Sequence, residues 1–417
     1  MVVNLVSMLA FAASASAQTA QTEGTSQLED RALEEIVVTA QKREQSVQDV
    51  GLSIQAFGGE HLAEAGVNDV VDVAGLATNV QVNYGLGNNY FNIRGLGLNE
   101  FSSNLDAPVA VHVDEIYQSK GFMTGLALFD VERVEVLKGP QGDLFGRNTT
   151  GGAVNFFSGR PERKFGGALE AGYDNYETLN VNGHLTGPLS EKLAFRLAGY
   201  RTDQGKGYYR NILRNSREGA IDEFAVRGQL AFEDGPTEIL LSAHYGEDHS
   251  TLHPYTGLGN TDPRTGQLCA EYLNGTVRGD TPNCVRGLDL LFVPDTGLPG
   301  QYQPGQNDPY LTVNNLPFTV DNWTAGGFLR VGYEFETAVL TSITGYERFS
   351  RDQQEDSDNS PVQSVEVYWN NDMRQITQEV RLTSNFDDDR WNYVVGAFYE
   401  SDDYDNKDYL TAFIPFL

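Results

Sequence analysis

From Lys164 onward, apolar and polar positions alternate in segments of about ten residues, the period of strands that bury one face. In Leu193–Ala198 one face carries Leu193, Phe195 and Leu197, and the other carries Ala194, Arg196 and Ala198. Phe224–Phe232 repeats the pattern, with Phe224, Val226, Leu230 and Phe232 on one face and Arg227 and Gln229 on the other. The connectors alternate in length. Those at 187–191, 233–237, 334–337 and 386–390 are short, and those at 204–221, 248–321 and 351–373 are long. A soluble sandwich also alternates apolar and polar positions, but its connectors do not alternate so regularly in length. Short turns on one rim and long loops on the other predict antiparallel transmembrane strands, one face toward lipid and the other toward water. The pattern gives about nine strands, starting near 165, 176, 191, 222, 237, 323, 338, 374 and 390.

The preceding region, 46–160, reads as one compact α+β unit. Leu52–Phe57 is an alternating strand, followed by a short helix over Gly58–Gly66 that glycine ends. A second helix is predicted over Asn68–Ala74 with Asn68 as N-cap. Strands follow at Val80–Tyr84, Val109–Tyr117 and Arg133–Leu137. The last leads into a loop with Gly139, Pro140, Gly142, Gly146, Gly151 and Gly152, where backbone must turn tightly or pack closely.

The front of the chain is a short apolar run, Leu5–Ala13, followed by Ala15-Ser16-Ala17, the form of a secretory signal peptide cut before Gln18. It lacks the usual positive opening, since no Lys or Arg precedes Arg31; an upstream start or a gene truncated at its front is expected. Polar residues follow, and then a β-prone run, Leu33–Ala40. No segment reaches the 18 or more apolar residues of a membrane-spanning helix, so a membrane location requires strands.

Composition adds exclusions. With 58 acidic and 29 basic residues the net charge is −29, which argues against nucleic acid as a partner. High counts of Gly (44), Tyr (20) and Phe (22) suit many strands with aromatic girdles and tight turns. Cys269 and Cys284 share one Gly/Pro/Asn-rich loop and can pair in an oxidising compartment. There is no G-x-S-x-G, P-loop or H-E-x-x-H, and the six histidines show no metal-ligand spacing, so neither an enzyme nor a resident metal or cofactor is expected. The acidic run Asp402–Asp408 lacks the glycine of an EF-hand loop and reads as a solvated outer loop.

Three motifs taken together resemble the plug domain of TonB-dependent outer-membrane receptors. They are Tyr90-Phe91-Asn92-Ile93-Arg94-Gly95-Leu96-Gly97, then Val113-Asp114-Glu115-Ile116-Tyr117, then the run from Asp130 through Arg133, Glu135, Gly139, Pro140, Gly142, Gly146, Arg147, Gly151 and Gly152 to Asn155. Two departures are mild: Glu115 stands where the family usually has Gly, and Lys138 where Arg is common. The run ending Glu35-Ile36-Val37-Val38-Thr39-Ala40 is similar to a TonB box, the segment by which such receptors are pulled. An extended β-branched peptide offers its backbone to a partner's sheet edge.

The resemblance implies an organisation: signal peptide 1–17, periplasmic tail 18–45 with the TonB box at 33–40, plug 46–160, and the first strands of a barrel over 164–417. Family barrels have 22 strands, so the chain is expected to be the front half of a receptor. The short tail leaves no room for an added signalling domain. The implied partners are the TonB protein, outer-membrane lipid and a small-molecule ligand, with the receptor a monomer. The ligand is expected to be a ferric siderophore, with carbohydrate, vitamin B12, haem or an aromatic compound left open. A passive porin or surface-binding protein and a non-functional truncated product are the competing readings. Ligand would meet the loops 85–89 and 98–105 and outer-loop aromatics such as Tyr255, Tyr272 and Tyr302. Arg94, Arg133 and Arg147 are expected to pair with barrel glutamates, because arginine stays charged and binds carboxylates bidentately.

Overall fold

A computed structural model describes residues 36–43, 45–67, 70–85, 88–98, 102, 104–125, 129–255, 262, 264–265, 267–276, 284, 310–358, 363, 365–385 and 392–412. The expected signal peptide, the first residues of the TonB-box run including Glu35, and Asn68 and Tyr302 lie outside them.

The N-terminal unit begins with a two-stranded hairpin, β1 (Val37–Val38) and β2 (Gln45–Ser46). β3 (Ile54–Gly58) runs into α1 (Gly59–Glu64), which closes at Gly66 with φ +71°. α2 (Val73–Leu76) precedes a hairpin of β4 (Val80–Gly85) and β5 (Asn88–Ile93). The second helix is therefore shorter and later than 68–74, and its N-terminal neighbour Asp72 makes no side-chain cap. Then come β6 (Val109–Val113), β7 (Ile116–Gln118), β8 (Val131–Lys138), α3 (Gly142–Phe145) and β9 (Gly152–Ser158). The sheet order is β3-β8-β9-β6-β7, antiparallel except for the parallel pair β6 and β9. Its core packs Val70, Val73, Phe91, Ile93, Val134, Val136, Val154 and Phe156, each worth about 1.5–3 kcal/mol on burial.

Two backbone details shape this unit. The single strand expected over 109–117 is a tight hairpin, with Val113 opposite Ile116 and both intervening residues left-handed, Asp114 at φ +50° and Glu115 at φ +69°. A two-residue turn of this kind favours Asn-Gly or Asp-Gly, so Asp-Glu hides the turn from a propensity reading. At Gly152, φ is +146° and a Cβ would fall 2.2 Å from the carbonyl oxygen of Leu137, so a side chain has neither the conformation nor the space.

The second unit is a curved wall. Its strands are β10 (Gly166–Tyr173), β11 (Thr178–Pro188), β12 (Leu193–Gln204), β15 (Asp222–Asp234), β16 (Thr237–Asp248), β18 (Thr319–Glu334), β19 (Ala338–Asp356), β20 (Val365–Ser384) and β21 (Val394–Asn406). All are antiparallel in sequence order, and β22 (Tyr409–Ala412) continues along β20 beyond β21. Between them, β13 (Tyr209–Asn211), β14 (Ser216–Glu218) and β17 (Leu311–Thr312) form a small sheet in the long loops, where α4 (Ala270–Leu273) also lies. The nine wall strands agree with the alternating pattern, and their starts fall within about four residues of those expected except for β20, which begins at Val365 rather than near 374. Leu185, Leu197, Leu230, Leu241, Leu329, Ile376 and Val380 are exposed on the convex face, while Arg196, Arg227, Gln229, Gln375 and Arg381 are buried on the concave face against the first unit.

The long loop expected at 351–373 is instead a continuation of β19 and β20, joined by 357–364. Polar residues there suggest loop, yet Arg351, Gln353 and Glu355 are buried while Asp352 and Gln354 are exposed or half-buried, a strand's period of two. Strands of 19 and 20 residues exceed the roughly 9–11 that a bilayer-crossing strand needs. The acidic run 402–408 likewise lies mostly in β21, not in a loop. No helix of the described residues is long and apolar enough to cross a membrane.

Candidate functional site at the plug and wall contact

The residues that resemble the TonB box are parked on the first unit. Val38 and Ala40 are fully buried against Leu137 and Ala153, while Val37 points outward. The Thr39 N–H donates to Glu135 Oε1 at 2.9 Å, and Val47 N–H to the Ile36 carbonyl at 3.0 Å. Glu135 has no exposed surface and also accepts from Arg133 Nε at 3.0 Å. Arg133 stacks its guanidinium 3.8 Å over Phe157. Arg133 therefore serves the N-terminal segment and does not reach a wall glutamate. Arg94, left-handed at φ +54° and exposed, donates to Ser53 Oγ at 2.9 Å, again within the first unit. Among the described residues, Arg147 alone of the three arginines meets the wall, 2.7 Å from Glu400 and 3.5 Å from Asp402.

The main charged contacts have the opposite sense, with acids on the first unit and arginines on the wall. Asp130 accepts from Arg196 through both oxygens, Nε at 2.8 Å and Nη2 at 2.5 Å, and Arg227 lies 3.6 Å away. Arg227 also donates to the Phe129 carbonyl at 2.6 Å and covers the Phe129 ring at 4.6 Å. Glu115, at the left-handed turn, lies 2.5 Å from Arg381 and 3.6 Å from Arg330. Arg381 Nη1 donates to Glu379 as well, at 2.7 Å. Lys42 joins the same cluster, 3.1 Å from Glu379 and 4.0 Å from Glu115, with its ammonium 4.9 Å above Phe145. Asp114, the other turn residue, accepts from Ser158 N–H and Oγ, and Gln229 of the wall donates to that Oγ at 3.0 Å.

Burial opposes ionisation of Glu115, but Arg381, Lys42 and Arg330 outweigh it and hold the carboxyl down at about 2. His112, ringed by Tyr117 and Phe145, is driven the other way by burial first and by Lys42 second, to about 3, and is neutral. Burial pushes the Tyr117 phenol up to about 12.

Small apolar knobs complete the contact. Ile116 packs among Leu240, Phe328 and Ile343, and Gly345 makes room for it: a Cβ there would lie 2.8 Å from Ile116 Cδ1. Phe122 and Met123 meet Phe349 and Met373, and Phe129 meets Ala198 and Ala225. Sequence reasoning missed Glu115, Asp130 and Lys42. The available signal was Arg196 and Arg227 on the water-facing stripe, which demand acids opposite, and a carboxylate where glycine is usual.

In the long loops Cys269 and Cys284 are joined by a disulfide, with both residues buried. Tyr255 is held 3.4 Å from Glu355 and edge-on to Phe318, while Tyr272 is exposed on α4.

A small mixed unit seated by charge against the concave face of an antiparallel wall defines a plug-and-barrel class of protein. Residues 46–153 match the family described as TonB-dependent Receptor Plug Domain, and the fold of the described residues is similar to that of solved receptors that pair such a plug with a barrel. The pesticin receptor of Yersinia pestis is 28% identical over 162 residues, 38% of this chain and 24% of that protein. The ferripyoverdine receptor of Pseudomonas aeruginosa is 29% identical over 155 residues, 36% and 18% of the two chains, and the ferrienterobactin receptor of Escherichia coli 28% over 169, 36% and 22%. Among solved structures, the ferric yersiniabactin uptake receptor FyuA from Yersinia pestis has a TM-score of 0.67 at 18% identity, covering 87% of this chain and 50% of that one. The pyoverdine receptor FpvA from Pseudomonas aeruginosa bound to pyoverdine gives 0.66 at 16%, covering 91% and 52%. The chain spans about a quarter or less of these curated relatives and about half of the solved chains.

Proposed function

We propose that this chain belongs to an outer-membrane importer that takes up a ferric siderophore and is energised by the TonB protein. The observation that carries this reading is the way the plug is held: buried ion pairs and a few apolar knobs join it to the wall, and a short strand at its margin leads out of it. Such a contact can be undone by a pull without unfolding the apolar core of either part. In the proposed cycle, ligand binds at the long-loop rim and the plug responds. Ile36–Ala40 then leave their seat, and a partner strand adds to that extended segment. No covalent chemistry enters the cycle, and a catalytic role is not part of the proposal. The relatives named for ferric pyoverdine and ferric enterobactin support the choice of cargo. We assign the wall to lipid, the tail before 46 to the periplasm, and a monomeric state to the receptor.

The test is Ile36→Pro, which removes a backbone donor and disfavours strand addition. Uptake of a labelled ferric siderophore should be abolished while surface binding is unchanged. Uptake that persists, or binding lost together with uptake, would overturn the proposed role of the segment.

A further inference from the structure

Lys42 lies two residues beyond the buried Ala40, in a turn closed by its N–H on the Thr39 carbonyl at 2.9 Å. It is left-handed at φ +58°, and its side chain is 6% exposed. Its ammonium reaches away from its own hairpin to the wall carboxylate Glu379, to the plug carboxylate Glu115 and to the face of Phe145. Glu115 and Glu379 also share one nitrogen, Arg381 Nη1, and Arg330 lies 3.6 Å from Glu115.

We infer that Lys42 is a positioning residue that clasps the pulled segment to the plug and wall contact, so that the segment cannot leave without loosening that contact. This rests on the proposed role of 36–40. The coupling is covalent on one side, because force along 36–40 arrives at Lys42 within two peptide units, and electrostatic on the other. Once Lys42 is withdrawn, the two carboxylates share Arg381 Nη1 with one cation fewer beside them, and only Glu115 has a further one, Arg330 at 3.6 Å. Buried like charges repel strongly in such surroundings, so the Glu115 turn loses hold of the wall that it shares with Arg381 and Arg330. The seat of the segment and the seat of the plug are then one structure.

Hydrogen exchange on the full chain in lipid nanodiscs tests this, since local opening is read segment by segment. Lys42→Gln should raise exchange about tenfold both in 36–41 and in the hairpin 109–118. Lys42→Arg should leave both protected. Faster exchange in 36–41 alone would make Lys42 a peg for the segment only and overturn the coupling, as would no change in either. Because no TonB protein is present, failure here is distinct from failure of the import reading, which is measured by uptake.

Discussion

Asp130 of the plug takes both donors of the Arg196 fork, Nε on Oδ2 at 2.8 Å and Nη2 on Oδ1 at 2.5 Å. The arginine side chain is 8% exposed and that of its neighbour Arg227 is 4% exposed. Removing the acid leaves the buried Arg196 with only the exposed Glu162, 3.4 Å away, so Asp130→Asn should cost about 3–5 kcal/mol. Arg147, whose side chain is 51% exposed, offers the contrast: Arg147→Gln should cost about 0–1 kcal/mol despite its pair with Glu400. Denaturant unfolding of the two variants in one detergent decides between them.

Glu115 and Arg381 should behave as a coupled pair. Each single change, Glu115→Gly or Arg381→Gln, takes the nearest counter-charge from a buried group and leaves it weaker ones, and the double variant removes both members. The double variant should therefore be more stable than the sum of the singles allows by about 1–3 kcal/mol. Glycine also relieves the left-handed turn, by about 1–2 kcal/mol. Strict additivity in a double-mutant cycle would show that the pair is not coupled.

Acid should loosen the plug in two windows. His112 is held neutral at about 3 against an ordinary 6.5, so below 6.5 the unfolded chain binds a proton that the folded chain refuses. Stability present above pH 6.5 is thus lost as pH falls toward 3. Glu115, held at about 2 against 4.5, adds a second loss beginning near 4.5. Between 6.5 and 4.5 the histidine slope is at most about 1.4 kcal/mol per pH unit. His112→Gln should flatten thermal stability in that window and leave the lower one; an unchanged slope would remove His112 from the account.

Gly152→Ala should prevent the plug from folding normally, because the methyl would meet the Leu137 carbonyl and the Ile93 side chain at a φ that L residues avoid. A loss above about 3 kcal/mol, read as protease sensitivity of 46–158 with the wall intact, is expected.

Reducing the Cys269–Cys284 bridge, which closes a separation of 15 residues, should release about 3 kcal/mol of constraint within its own loop. Proteolysis in that loop should quicken while the strand signal in circular dichroism stays the same. A change in the wall would mean that the loop supports it.

The wall was legible because a strand exposed to lipid on one face leaves a period of two in the sequence, as in Leu193–Ala198 and Phe224–Phe232. The pattern failed where it ceased to be amphipathic. Residues 351–356 are polar on both faces and looked like loop, and 365–373 was read with them although Val365, Val367, Trp369 and Met373 share a face. The plug's motifs located its strands, but Asp114-Glu115 concealed a turn that glycine would have advertised. Arg133 and Arg94 illustrate a different limit: a charge can be read from sequence, but its partner depends on which surface the fold brings beside it. Arg133 found Glu135 two residues away, and the wall's arginines found Asp130 and Glu115.

The carboxylate at position 115 also limits exchange between receptors. A plug with glycine at this turn, set into this wall, would leave Arg330 and Arg381 facing one another with Glu115's charge missing. This plug set into a wall without those arginines would bury an acid with nothing opposite. The contact works as a mating code between the two parts of one chain, and chimaeras that swap plugs should assemble only when position 115 and the wall positions 330 and 381 are carried over together.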